Sequence, residues 1–175
     1  GILAHHRGLP VEHFIAACNV NDVVPEYLRT EILQPKETVA TISNAMDVGD
    51  PSNFVRILEL FDKEFNQVKN KLSGYTIDDE ETLKTIERVE KDYGYVLDPH
   101  GAVAFVALEK YLAENGGKGF FLETAHPVKF PDSVEKATGK SVEIPKSLEE
   151  LMRQEKFTTE INPQYEELKE FLLKK

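Results

Sequence analysis

Sulfur and tryptophan are scarce in this sequence: its 175 residues include one cysteine, two methionines and no tryptophan. A lone cysteine, Cys18, can form no disulfide within the chain, which fits a reducing, cytoplasmic compartment. Long apolar runs are missing too. The longest, residues 102–108, is far short of the roughly 18 residues that suggest a bilayer span, and no basic segment leads into an apolar one at the start. The sequence therefore predicts neither membrane insertion nor secretion. Positive charge is in short supply, with 21 Lys and Arg against 31 Asp and Glu, a net charge of −10. That balance repels phosphate backbones, and no basic stripe interrupts it, so nucleic acid is not the expected partner. Metal-ligand spacing is absent as well. His5 and His6 are adjacent on a helical stretch and point in different directions, and no Cys/His pair has zinc spacing. No Ser, Cys or Lys sits in a nucleophile motif. The glycines at 116, 117 and 119 lie between a helix and a strand rather than opening a helix, so they read as a turn and not a phosphate loop.

What is present is enough for one globular domain, with 41% hydrophobic residues and a helical tail over residues 141–175. The opening residues 1–7 read as helix with no capping residue ahead of them, so the helix is expected to start upstream of Gly1. Residues 14–18 are apolar without alternation, as in a parallel strand covered on both faces. Cys18 then belongs to the core. A further apolar piece spans 38–42. From Asp50 and Pro51 a helix is predicted whose apolar residues, from Phe54 through Phe61 and Val68 to Leu72, recur every three or four positions. Gly74 is expected to stop it. Asp78 and Glu81 form a capping-box pair for an acidic helix with Leu83, Ile86, Val89 and Tyr93 on its buried edge. Over residues 75–98 eight acidic side chains face three basic ones, a solvated face. Asp98 and Pro99 open an almost wholly apolar helix expected to be central. Residues 119–122 read as a second buried strand. Helices alternating with buried strands define the α/β class, with a mainly parallel sheet flanked by helices.

Ligands of such sheets bind in the crevice at the carboxyl ends of the strands. Four polar clusters lie just beyond apolar runs: Asn19, Asn21 and Asp22; Ser43, Asn44 and Asp47; Asp98 and His100; and Thr124 and His126. Each also has an ordinary reading as turn formers and helix caps, and Asp98 before a proline reads best as a cap.

The blocks Asn19-Val20-Asn21-Asp22 with Val24-Pro25, Ala40-Thr41-Ile42-Ser43-Asn44-Ala45-Met46-Asp47-Val48-Gly49, Asp98-Pro99-His100-Gly101-Ala102-Val103-Ala104 and Thr124-Ala125-His126-Pro127-Val128-Lys129-Phe130 resemble, in order and spacing, the C-terminal part of the threonine synthase family. Asp50 stands where that family would lead one to expect Asn, a small departure. The resemblance implies a partial fold of the tryptophan-synthase-β type, the fold type II of pyridoxal-phosphate enzymes. It implies conversion of O-phosphohomoserine and water to threonine and phosphate, with pyridoxal phosphate as cofactor. It places Thr124 against the cofactor's pyridine nitrogen and makes Asn19, Asn21, Asp22, Ser43, Asn44 and Asp47 substrate-side candidates. The family's Schiff-base lysine and phosphate-holding glycine loop belong to sequence before Gly1, so no catalytic residue is expected within these 175 and the piece is expected to be inactive alone. Surface that the preceding half would cover is expected to be exposed and to favour self-association. Two alternatives accompany this reading: a non-catalytic α/β interaction module docking through the acidic helix, and a different fold type II pyridoxal-phosphate lyase.

Overall fold

The computed structural model describes residues 1–174 and resolves them into two compact units, one over residues 1–142 and one from residue 143 onward. The first is built on two parallel strands, β1 (Phe14–Cys18) and β2 (Leu72–Thr76), in register from Phe14 opposite Leu72 to Cys18 opposite Thr76. Parallel strands need a long crossover. Here it holds the helices α2 (Val23–Thr30), α3 (Phe54–Leu60) and α4 (Phe65–Lys71), while a short α1 (Ile2–His6) precedes β1. Tyr27, Leu28, Phe54, Phe61, Val68 and Leu72 are buried together in one cluster, so the apolar face read from the sequence is the one that packs.

The helix carrying that face is not continuous. Asp62 and Lys63 adopt φ of 53° and 60°, the left-handed region that non-glycine residues seldom occupy, and the chain restarts as α4. Gly74 does not stop a helix either. It lies inside β2, where a Cβ would meet the Pro25 Cα at 2.7 Å. The missing side chain is what lets α2 lie against the sheet.

Two longer helices follow, α5 (Asp79–Tyr93) and α6 (Pro99–Asn115). The Asp78 carboxylate accepts the Glu81 N–H at 2.8 Å, as the capping pattern predicts, and Gly94 ends α5 at φ 65°. Ile86 and Val89 are buried and Leu83 half-buried, whereas Tyr93 in the last turn faces solvent. The Asp98 carboxylate likewise caps α6 by accepting the His100 N–H at 2.9 Å. This helix is central, with Ala102, Val103, Val106 and Ala107 buried. A helix α7 (Pro131–Thr138) closes the unit by packing Val134 with Ile86, Val89, Leu97 and Ala102.

Two apolar pieces expected to be extended depart from simple strands. Residues 38–42 form no ladder and are held by side chains instead. Residues 119–122 are not a buried strand, because among the described residues no strand pairs with them. Accessibility alternates there: Phe121 packs on Phe105, while Phe120 and Leu122 are 71% and 68% exposed. The pattern is that of an extended segment covered on one face only.

The second unit holds α8 (Lys146–Met152) and α9 (Tyr165–Leu173). Ahead of α9, the Asn162 amide donates to Glu167 at 2.7 Å and its backbone N–H to the same carboxylate at 2.9 Å. Among the described residues no helix is long and apolar enough to cross a membrane, and no group of His, Cys, Asp and Glu is placed to hold a metal ion.

Candidate functional site

At the carboxyl end of β1 the chain turns polar, and the first two clusters meet. Asn19, 1% exposed, uses its amide N–H groups on Thr41 Oγ1 (2.8 Å), Ser43 Oγ (3.0 Å) and Asp47 Oδ1 (2.8 Å). Its Oδ1 accepts the backbone and amide N–H groups of Asn21, each at 2.9 Å. Asn21 in turn clasps residue 39 from both sides, donating to the Val39 carbonyl (2.9 Å) and accepting the Val39 N–H (2.8 Å). The Asp47 carboxylate accepts the Thr41 hydroxyl at 2.7 Å and the Thr41 N–H at 2.9 Å. A buried polar group costs little only if its partners are present, and here almost every valence is used. Asn19, Asn21, Ser43 and Asp47 thus fix the 39–47 loop onto the strand end. Thr41, which the sequence reading passed over as part of an apolar piece, is the centre of the network.

Asp22 and Asn44 stand apart from it. Asp22 accepts Lys36 Nζ at 2.7 Å and the Thr76 hydroxyl at 3.0 Å, joining α2 to β2. Burial opposes its charge, but those two donors outweigh burial and hold its carboxyl below the usual carboxylate range. Lys36 also pairs with Glu26. Asn44 begins a single 3-10 turn and its side chain is exposed. Cys18 is half-buried beside Asp22; burial first, and then that carboxylate, push its thiol up to about 12, so it is no nucleophile at neutral pH.

The third cluster is joined to the second. His100 Nε2 lies 3.1 Å from the Ala45 N–H and accepts it, while His100 Nδ1 lies 2.6 Å from Asp98 Oδ1. These partners assign the ring proton to Nδ1, donating to the carboxylate. Asp98 is wholly buried, and its backbone N–H donates to Glu123 Oε1 at 3.2 Å. Glu123, which the sequence reading did not single out, is the residue just before Thr124. A run of contacts therefore leads from the 39–47 loop through His100 and Asp98 to the 120–126 segment. Burial alternates along that segment, so Glu123 turns inward to α6 and Thr124 outward to solvent. His126 is exposed, and its Nδ1 accepts the Val128 N–H at 3.2 Å, capping a 3-10 turn over Pro127–Lys129. Only one clue to Glu123 was available in the sequence: an acidic residue directly after an apolar stretch.

An α/β layer with polar loops gathered at the carboxyl end of a parallel strand is the architecture of a ligand-binding α/β domain. The family model for "Threonine synthase, C-terminal" matches residues 101–172. Threonine synthase from Escherichia coli is 48% identical over 86% of the chain, and that from Buchnera aphidicola of Schizaphis graminum is 44% identical over all of it. The chain spans 34% and 40% of the lengths of these two relatives. Among solved structures, threonine synthase from E. coli superposes with a TM-score of 0.88 at 42% identity, covering 99% of this chain and 40% of its own. A pyridoxal-phosphate-bound threonine synthase from Brucella melitensis superposes with a TM-score of 0.77 at 28% identity, over 98% of this chain and 43% of that one. The chain belongs to the threonine synthase family and matches the C-terminal part of its members.

Proposed function

We propose that this chain supplies one wall of the cofactor site of a threonine synthase that uses pyridoxal phosphate to convert O-phosphohomoserine and water to threonine and phosphate in the cytoplasm. The observation that carries the proposal is the outward, solvent-facing position of Thr124, on a segment whose inner face is anchored to the head of α6. The residues present fit such a cofactor. A hydroxyl there is free to meet a ring nitrogen, and the loop 39–47 is held rigidly by the Asn19 network and tied to α6 through His100. When bound, pyridoxal phosphate supplies an electron sink for charge developing on the substrate's carbon atoms. The Thr124 hydroxyl would donate to the ring nitrogen without being able to keep it protonated as a carboxylate would, which would moderate that sink. Most polar groups of Asn19, Asn21, Ser43 and Asp47 are consumed inside the protein, so these residues serve the site by fixing the loop. Asn44, exposed at the turn, is the one substrate-side candidate of that loop left open to solvent.

The test is direct. Mixed with pyridoxal phosphate and O-phosphohomoserine, these 175 residues alone should release no phosphate at an enzymatic rate. A longer chain that adds the family's lysine-bearing half ahead of Gly1 should release it. Turnover by the 175 residues alone, or none by the longer chain, would sink the proposal.

Phe120 and Leu122 give the outer face of the same segment a hydrophobic surface, with an unpaired backbone edge beside it. Such edges recruit strands from other chains. The 175 residues are therefore expected to self-associate, and to do so less after Leu122→Lys. A clean monomer by sedimentation at high concentration would contradict this.

A further inference from the structure

Asp98 and Glu123 are two carboxyl groups within hydrogen-bonding reach of one another, and one oxygen of each, Asp98 Oδ2 and Glu123 Oε2, is buried with no donor to satisfy it. Two ionised carboxylates cannot satisfy each other, because neither carries a hydrogen. Among the described residues no Lys or Arg forms an ion pair with either. The charged or titratable groups that face the pair are His100 from α6, whose proton goes to the other Asp98 oxygen, and Tyr95 from the segment before α6. The 3-10 turn and α7 contribute the Phe130 ring, which leans on His100 at 4.8 Å. Glu123 has been given room to reach this place. A Cβ on Gly101 would lie 2.0 Å from Glu123 Oε2, so the first turn of α6 is open only because residue 101 has no side chain.

We propose that Asp98 and Glu123 hold a single proton between them, a carboxyl–carboxylate hydrogen bond that clasps the 120–126 segment to the head of α6 and makes Glu123 a positioning residue for Thr124. One proton satisfies both orphaned oxygens and removes one of two like charges from a buried place. The proton resides mainly on Glu123. Burial first, then the side-chain hydrogen bond with Asp98 and last its charge, raise the Glu123 carboxyl from an ordinary 4.5 to about 7. For Asp98 burial works against ionisation, but the bonds from Glu123 and His100 prevail and hold it below the usual range. The sign follows for each. A raised Glu123 stabilises the fold fully below its unfolded value, and that contribution is lost as pH climbs through about 7. A lowered Asp98 stabilises the fold above its unfolded value and ceases to do so as pH falls through its folded value. The clasp is therefore closed in mildly acidic solution and loosens across neutrality. It stands on contacts within the chain and does not depend on the cofactor reading.

Carboxyl-carbon NMR of the isotopically labelled chain tests it. Glu123 should titrate near pH 7 while Asp98 stays ionised. In Asp98→Asn the Glu123 midpoint should fall by more than about one unit, because the like charge that raises it is gone. Glu123→Gln offers Asp98 a permanent donor, so the amide resonances of residues 120–126 should show no pH step across the neutral range, unlike those expected for the unaltered chain. An ordinary glutamate midpoint for Glu123 would overturn the proposal. So would a midpoint unmoved by Asp98→Asn, or a pH step that survives Glu123→Gln.

Discussion

Asn19→Ala is expected to lower the unfolding free energy by about 3 kcal/mol, the cost of losing several buried hydrogen bonds at once and leaving one buried N–H unsatisfied. One amide serves Thr41, Ser43, Asp47 and Asn21, and alanine would take a bond from each and leave the Asn21 backbone N–H with no acceptor. Water cannot readily replace it, since Asn19 and Ser43 are closed off from solvent. Asn44→Ala, one residue beyond Ser43 but exposed, should fall within about 0.5 kcal/mol of the parent chain. Urea unfolding of the two variants makes the comparison. A loss below about 1 kcal/mol for Asn19→Ala would mean that the loop 39–47 is held by something other than this network.

The second large effect is expected from Gly74→Ala, at about 2 to 3 kcal/mol, which is the usual cost of forcing atoms into a filled interior. The added methyl would sit 2.7 Å from the Pro25 Cα, 3.1 Å from the Pro25 Cβ and 3.2 Å from Leu28 Cδ1. The leucine tip can rotate away, but the backbone of α2 cannot. Relief must come from lifting α2 off the sheet, which uncovers Tyr27 and Leu28 from the core they share with Phe54 and Val68. The melting temperature of Gly74→Ala reads this directly, and an unchanged value would show that α2 has slack the structure does not display.

The parts of this fold that could be read from the sequence are those set by neighbouring residues. Asp78 with Glu81, Asp98 with Pro99, and Gly94 each act within one turn of helix, and all three ends lie where their chemistry puts them. The polar loops after β1 and before α6 were legible for the same reason. What escaped depends on contacts far apart in the chain. The spacing of Phe54, Phe61, Val68 and Leu72 marks a buried face correctly but cannot reveal that Asp62 and Lys63 turn left-handed between them, because nothing in their side chains demands it. Residues 38–42 have a strand's composition, yet their backbone partners are the side chains of Asn21 and Asp47. Thr41 and Glu123 were overlooked on similar grounds. A threonine in an apolar run and a glutamate at its end acquire meaning only when Asn19 and Asp98 arrive from elsewhere.

Because the loop 39–47 is stitched to Asn19 and Asn21 at residues 39, 41, 43 and 47, its length is as constrained as that of any strand. Adding or removing one residue between Thr41 and Asp47 would throw the stitches out of step. By contrast, Gly116 and Gly117, at φ of 70° and 92° with open space around them, form a turn where the chain can lengthen at little cost. Two irregular stretches of one protein thus differ sharply in how much change of length they can absorb.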